Sequence, residues 1–183
     1  FVTIYRLKIM KDELYLPIPK ICNWLMNYPF IDNKFIIPNK GWNIKRKGKK
    51  GLIISEGVYL YILEHLKYAI NNIINNKKYS KIINKVEKYY IKLNYNFEND
   101  NMLSHYYAYI LEAKIDLGYT VNINDFLKFK NNKYIPAYYN EKWLCTPGYI
   151  QFGIILYKSG HINEGNLVLD NIIKYQDDNG GLY

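Results

Sequence analysis

Residues 143–160, WLCTPGYIQFGIILYKSG, decide the fold class because they carry both ends of a helix around an almost continuous apolar interior. Thr146 followed by Pro147 predicts the helix start, with Thr146 as the N-cap residue and Pro147 at the first helical position. Gly160 predicts the end, since glycine readily takes the left-handed conformation that terminates helices. The residues between are apolar on every side as far as Lys158, which indicates a buried helix.

The next segment, residues 163–176 (NEGNLVLDNIIKYQ), predicts an amphipathic helix, in which one face is exposed to solvent. Its polar residues are assigned to one face and its apolar residues to the other: Asn166, Asp170, Lys174 and Asp177 against Val168, Leu169, Ile172 and Ile173. A buried helix followed by a one-sided helix therefore forms the C-terminal pair.

The same pairing occurs twice upstream. Residues 52–74 read as a buried helix and residues 79–93 as a one-sided partner, in which Lys81, Lys85, Lys88 and Lys92 face water. Residues 102–118 (MLSHYYAYILEAKIDLG) are again largely apolar and stop at Gly118, and residues 122–130 are their short partner, with Asn124 as the N-cap. The spacing of roughly 45–50 residues is typical of helical repeats.

The alternation predicts an all-α fold, a partial α/α toroid of about three helical hairpins in which an outer ring covers the inner helices. Residues 52–183 form this domain. Residues 1–51 are predicted to be a small irregular segment with a strand near residues 1–10 and a short helix in PKICNWLMNYP (19–29). That helix is expected to bury Ile21, Trp24 and Leu25, and a loop rich in lysine and glycine follows it.

Composition narrows the class of function. The 183 residues carry a net charge of +9 and only two cysteines, and no apolar run is long enough to span a bilayer. A reducing, cytoplasmic setting and a partner such as an acidic or neutral glycan are expected. No nucleic-acid module, Gly-rich phosphate loop or zinc ligand spacing is present, so nucleic acid, cofactor and metal binding are not predicted.

The C-terminal motifs resemble a known family. WLCTPGYIQFGIILYKSG, followed by a helix and by Gln176, Asp177–Asp178 and Gly180–Gly181, is similar to the α/α-toroid domains of the prenyltransferase and squalene-cyclase repeat type. It also resembles the helical domain ahead of methyltransferase domains in some polysaccharide-biosynthesis proteins. SHYYAYILEAKIDLG (104–118) is similar to the helical barrels of glucuronyl epimerases and unsaturated-glycan hydrolases. The tryptophan that completes the squalene-cyclase repeat and that family's aspartate-rich motif are absent.

This resemblance implies a carbohydrate-related helical domain, the accessory or substrate-binding part of a polysaccharide-modifying protein that is associated with a methyltransferase. The catalytic domain would be separate or fused, and the Gly-Gly turn would lead to a further inner helix, so the toroid is expected to be truncated at its C-terminal end. The alternatives are a glycan-active enzyme of the epimerase or hydrolase kind and a non-enzymatic helical scaffold.

The candidate site lies where the inner helices of a toroid begin. Aromatic rings stack on the C–H faces of sugars while carboxylates and amides bond the hydroxyls. His105, Glu112 and Glu56 are the predicted catalytic residues, because His105 shares one helix face with Glu112 and an oriented histidine suits acid–base chemistry. The predicted substrate-binding residues are Trp42, Tyr59, Tyr106, Trp143, Tyr149, Gln151, Asp177 and Asp178. The competing interpretation is a tyrosine-rich core with an interhelical polar seam.

Overall fold

The computed structural model describes residues 17–27, 30–31, 34–35, 57, 59–128 and 135–182. Within these ranges the chain is mostly helical, which confirms the all-α class. The helices are α1 (Pro17–Asn27), α2 (Leu60–Ala69), α3 (Lys77–Ile91), α4 (Ser104–Asp116), α5 (Asn124–Leu127), α6 (Thr146–Lys158) and α7 (Ile162–Ile172). The shorter elements are β1 (Phe30–Ile31), β2 (Lys34–Phe35), a π-helical turn (Ile70–Ile74) and a 3-10 turn (Ile173–Tyr175).

The chain divides into two compact units. The first comprises Phe1–Ile44 and Ile62–Leu93, and the second comprises Lys45–Tyr61 and Asn94–Tyr183. The predicted boundary after residue 51 lies outside the described residues and stays a prediction. The strand proposed for residues 1–10 and the basic loop of residues 40–50 lie outside them too.

In the first unit, α1 buries a different face from the predicted one. Ile18, Cys22 and Met26 are buried, whereas Trp24 is 57% exposed and Ile21 is 41% exposed. The buried residues recur at every fourth position and so form one stripe along the helix. The thiol of Cys22 lies in this stripe, and burial raises its pKa to about 11. It is therefore a packing residue rather than a reactive thiol.

The helix α3 of the first unit has the predicted one-sided form. Asn76 caps it, because its side-chain oxygen accepts hydrogen bonds from the backbone N–H groups of Lys78 and Tyr79. Ile83, Val86 and Tyr90 are buried, while the lysines on the opposite side are exposed. The strands β1 and β2 form a short antiparallel ladder in which Phe30 is opposite Phe35.

In the second unit, α6 packs against both α4 and α7. The ends of α4 and α6 confirm the predicted stops, since Gly118 and Gly160 take φ angles of +87° and +80°. The predicted N-caps are displaced by one or two residues. The N-cap of α6 is Cys145 rather than Thr146, and its side chain makes no capping hydrogen bond. At the start of α5, the side-chain oxygen of Asn122 accepts a hydrogen bond from the backbone N–H of Asn124.

The α7 helix packs through a narrower stripe than predicted. Gly165, Val168 and Ile172 are buried, but Leu169 and Ile173 are 39% and 61% exposed. The glycine explains the choice of face, because a side chain at Gly165 would meet the ring of Tyr157 at about 3.0 Å. The close approach of α6 and α7 therefore requires glycine at position 165. The face of α7 that contains Gly165 is buried, and Leu169 is left partly exposed to solvent.

After α7 the chain closes a compact turn. Gln176 and Leu182 form an isolated antiparallel bridge, and the Gln176 amide donates a hydrogen bond to the carbonyl of Gly180 over 3.0 Å. Gly180 takes a φ of +85°, which the turn requires and which favours glycine. The turn holds Leu182 at the edge of a groove between α4 and α6.

Candidate functional site

The second unit contains an open groove of about 430 Å³ between α4 and α6. Its lining is part aromatic, part polar and part aliphatic: Tyr61, His105, Tyr109, Glu112, Thr146, Pro147, Ile150, Gln151, Ile154 and Leu182. A cavity of this size and mixed lining is typical of sites for small molecules or for a short segment of a polymer.

The groove exists because the first turns of α4 and α6 lie against each other. A Cβ atom at Gly148 would lie 2.7 Å from the backbone nitrogen of His105, so only glycine permits this crossing. The start of α4 is held independently, since the backbone N–H of Ser104 donates to the carbonyl of Ala137 over 2.7 Å. His105 and Thr146 are thereby placed on the same end of the helix pair.

One wall of the groove is a cluster of three rings. The ring of Tyr109 lies 4.4 Å from that of Tyr61 and 4.2 Å from that of His105, measured between centroids, with tilts of 56° and 52°. Contacts at these distances add to the burial energy and hold the rings in fixed orientations. The cluster therefore presents a preformed aromatic surface.

Next to the rings, a polar seam joins α4 to α6. The buried Glu112 carboxylate accepts a 2.7 Å hydrogen bond from the side-chain amide of Gln151 and a 2.9 Å bond from the ammonium group of Lys158. Lys158 also bonds both carboxylate oxygens of Asp116, at 2.7 and 2.8 Å. The carboxylate of Glu112 is thus neutralised inside the helix pair, as a buried charge requires.

Two polar atoms beside this seam have no hydrogen-bond partner within the described ranges. They are Nδ1 of His105 and Oε1 of Gln151, and both atoms are buried. The nearby Gln151 side chain acts to raise the pKa of His105, although the two side chains are not in hydrogen-bonding geometry. Unpaired buried polar atoms are uncommon and often mark places where a ligand or water is bound.

The environment sets the charge of the groove residues. Burial lowers the pKa of His105 below its ordinary value of 6.5, and the Gln151 contact only partly opposes this, so the ring is neutral near pH 7. Burial acts to lower the pKa of Lys158, but the hydrogen bonds that its ammonium group donates to Asp116 and Glu112, together with the charges of these carboxylates, outweigh burial and leave the pKa raised. The pKa of Tyr61 is raised, first by burial and then by the charge of Glu112.

Stability is expected to fall as the solution is acidified below pH 6.5, because the pKa of His105 is lower in the folded protein than its ordinary value of 6.5. The unfolded chain then takes up the proton more readily than the folded one. The stability that depends on a neutral His105 is fully present above pH 6.5, and it is lost as the pH falls through the pKa of His105 in the folded protein. Urea unfolding at several pH values should show a steeper loss for the native protein than for His105→Gln. Parallel curves would contradict the prediction.

The structure brings together three of the predicted site residues, namely His105, Glu112 and Gln151. The histidine is not oriented by the carboxylate on its own helix, because Glu112 bonds Gln151 and Lys158 instead. A catalytic role for His105 and Glu112 stays a prediction. Glu56 and Trp42 lie outside the described residues.

The remaining predicted residues do not line this groove. Tyr149 is buried, and burial raises its pKa, as expected of a core tyrosine. Trp143 is 52% exposed and packs edge-on against Tyr138. Asp177 and Asp178 are exposed in the turn after α7, while Tyr59 and Tyr106 are half-buried elsewhere.

Several contributors to the site are not among the predicted residues. Tyr61 and Leu182 line the groove, and Lys158 neutralises Glu112 from 46 residues further along the chain. A signal for Lys158 does exist, because it lies seven residues after Gln151 and therefore on the same face of α6. No comparable pattern marks Tyr61 or Leu182, which approach the groove only through tertiary folding.

Within the described part of the chain, no group of three or more His, Cys, Asp or Glu residues is arranged to hold a metal ion. None of the helices in those ranges has the length and apolar character needed to cross a membrane. Comparison with protein-family models, with curated proteins and with solved structures finds no match to this chain.

Proposed function

We propose that the second unit is a carbohydrate-binding helical domain, and that its groove holds a neutral segment of a glycan. The observation that carries this proposal is the ring cluster of Tyr61, Tyr109 and His105 set beside the amide of Gln151. Rings bind the C–H faces of a sugar, and an amide bonds its hydroxyls. A neutral segment fits best because the ammonium group of Lys158 already donates hydrogen bonds to Glu112 and Asp116 and so is not available to pair with an anionic sugar.

The seam also decides which end of Gln151 is left for a ligand. Because the Glu112 carboxylate can only accept hydrogen bonds, it fixes the NH₂ end of the Gln151 amide towards itself. The carbonyl oxygen of Gln151 and Nδ1 of His105 have no hydrogen-bond partner within the described ranges. A sugar hydroxyl, or a water molecule that bridges to one, would satisfy them.

Binding is favoured over catalysis by the state of Glu112. Both of its oxygens already accept hydrogen bonds, so it is poorly placed to act as an acid or a base. The lowered pKa of His105 makes the ring a hydrogen-bonding group near pH 7 rather than a cation. An epimerase or hydrolase activity therefore has less support than glycan binding.

In the wider protein, we infer that α4, α6 and α7 belong to an α/α toroid that presents a polysaccharide to a separate or fused modifying domain. The support is the family resemblance of residues 143–183 and the adjoining starts of α4 and α6. A methyltransferase is the partner that this resemblance suggests. The isolated chain should then bind glycan without transferring a methyl group from a methyl donor.

The proposal is tested by titrating the protein with neutral oligosaccharides and following its amide signals by NMR. A panel of hexose di- to tetrasaccharides serves as the probe. Shifts are expected at the groove residues, and Tyr109→Ala should weaken binding about fivefold, because a lost ring contact of this kind is worth about 1 kcal/mol.

Trp143→Ala is the matched control, since it removes an exposed aromatic ring that does not line the groove. It should leave the affinity unchanged. Equal weakening by both variants, or amide shifts that avoid the groove for every sugar in the panel, would refute the proposed site.

A further inference from the structure

The surface of α3 carries an unusual concentration of one charge. Successive residues of a helix turn by about 100°, so the six lysines of residues 77–92 fall within a single arc of about 100°. They are Lys77, Lys78, Lys81, Lys85, Lys88 and Lys92, and all are exposed. On this geometry no other residue type of the segment lies within the arc, which extends over about 22 Å. This arc is called the lysine face below.

The charge of the lysine face is not neutralised within the described ranges. None of the six ammonium groups has an ion pair there, and the acidic residue of α3, Glu87, lies on the opposite side, where it bonds Lys67 at 2.7 Å. Like charges three and four residues apart repel each other and weaken a helix. A face that is lysine throughout therefore suits a polyanionic partner, whose charges would relieve the repulsion.

The rest of α3 narrows the class of partner. Insertion into an anionic membrane would need a free apolar face, but Ile83, Val86 and Tyr90 are buried in the first unit. Binding of single-stranded nucleic acid commonly uses exposed aromatic rings and arginine, and the lysine face contains neither. Tyr89, just beyond its edge, is half-buried and stacks edge-on against Tyr90.

We propose that the lysine face binds an acidic polysaccharide, a linear chain that carries carboxylate or sulfate groups. The row of point charges recognises the repeated anions along such a chain and makes no demand on their exact spacing, because each ammonium group sits on a flexible stem. The proposal depends on α3 alone and stands whether or not the groove of the second unit binds sugar.

The experiment uses the full chain with polygalacturonate and dextran sulfate as probes and neutral dextran as the uncharged comparison. Binding is measured by calorimetry at two salt concentrations. The acidic polymers should bind, with an affinity that falls steeply as salt is raised. Any binding of neutral dextran, which the groove would account for, should not depend on salt. Lys81→Glu with Lys88→Glu should weaken binding at least tenfold and reduce the salt dependence.

The control carries the same change of net charge outside α3, in Lys142→Glu with Lys174→Glu, both exposed in the second unit. It should retain most of the affinity. If the glutamate pair in α3 disturbs folding, Lys81→Gln with Lys88→Gln gives the same test with less repulsion. Equal losses in α3 and control variants would overturn the proposal. So would tighter binding of single-stranded or duplex DNA, or of anionic lipid vesicles, than of both acidic polymers at the same salt.

Discussion

Gly148→Ala is expected to destabilise the protein by about 3 kcal/mol, because the added methyl group has no space to occupy. Its carbon would lie 2.7 Å from the backbone nitrogen and 3.1 Å from the Cα of His105. A backbone cannot rotate away as a side chain can, so α4 and α6 would have to separate. The intrinsic preference of helices for alanine returns at most about 1 kcal/mol.

Gly153→Ala is the matched control, since Gly153 is a second buried glycine in the same helix. Its nearest neighbour would be a methyl carbon of Val168 at 3.1 Å, and that side chain can shift by a few tenths of an ångström. The change in unfolding free energy should stay within about 1 kcal/mol. Urea unfolding of both variants measures the difference, and equal effects would show that the crossing at Gly148 is looser than described.

The same crossing shows which parts of the fold a sequence can predict. The ends of α4 and α6 were predicted correctly from Gly118 and Gly160, because a left-handed terminating residue is a local requirement that glycine meets. The all-α class followed from apolar periodicity for similar reasons. These features depend on residues a few positions apart, and no distant partner is needed to specify them.

The buried faces of α1 and α7 could not be predicted in this way. Each helix carries more apolar residues than it buries, and a neighbour elsewhere in the chain decides between overlapping stripes. In α7 the choice depends on Gly165, which admits the ring of Tyr157 and leaves Ile173 in water. In α1 the small side chain of Cys22 lies in the stripe that packs, whereas Trp24 does not.

The candidate site was predictable to the extent that it lies on one helix. His105 and Glu112 were identified from their shared face on α4, and both line the groove. The cation that neutralises Glu112 was not identified, because Lys158 is 46 residues away and the two meet only through the packing of α4 on α6. Spacing within a helix thus predicted the carboxylate, and tertiary structure determined its neutralisation.

Lys158→Met is expected to destabilise the protein by about 2 kcal/mol, because it leaves a buried carboxylate without its cation. The value is below that of a fully buried ion pair since the Lys158 side chain is 33% exposed. Methionine keeps the apolar stem, so the loss reports the charge rather than the packing. Unfolding in urea gives the free energy, and far-UV circular dichroism checks that α6 remains helical.

Double-mutant cycles separate the two carboxylates that Lys158 bonds. The Glu112 side chain is only 10% exposed, whereas that of Asp116 is 25% exposed and lies nearer water. Glu112→Gln combined with Lys158→Met should reveal a coupling of about 1 to 2 kcal/mol that persists in 1 M salt. Asp116→Asn combined with Lys158→Met should show less than about 1 kcal/mol, and salt should remove most of it. A larger coupling to Asp116 would mean that Lys158 stabilises the protein mainly through its exposed ion pair with Asp116. The Glu112 carboxylate would then be stabilised chiefly by the hydrogen bond from the Gln151 amide.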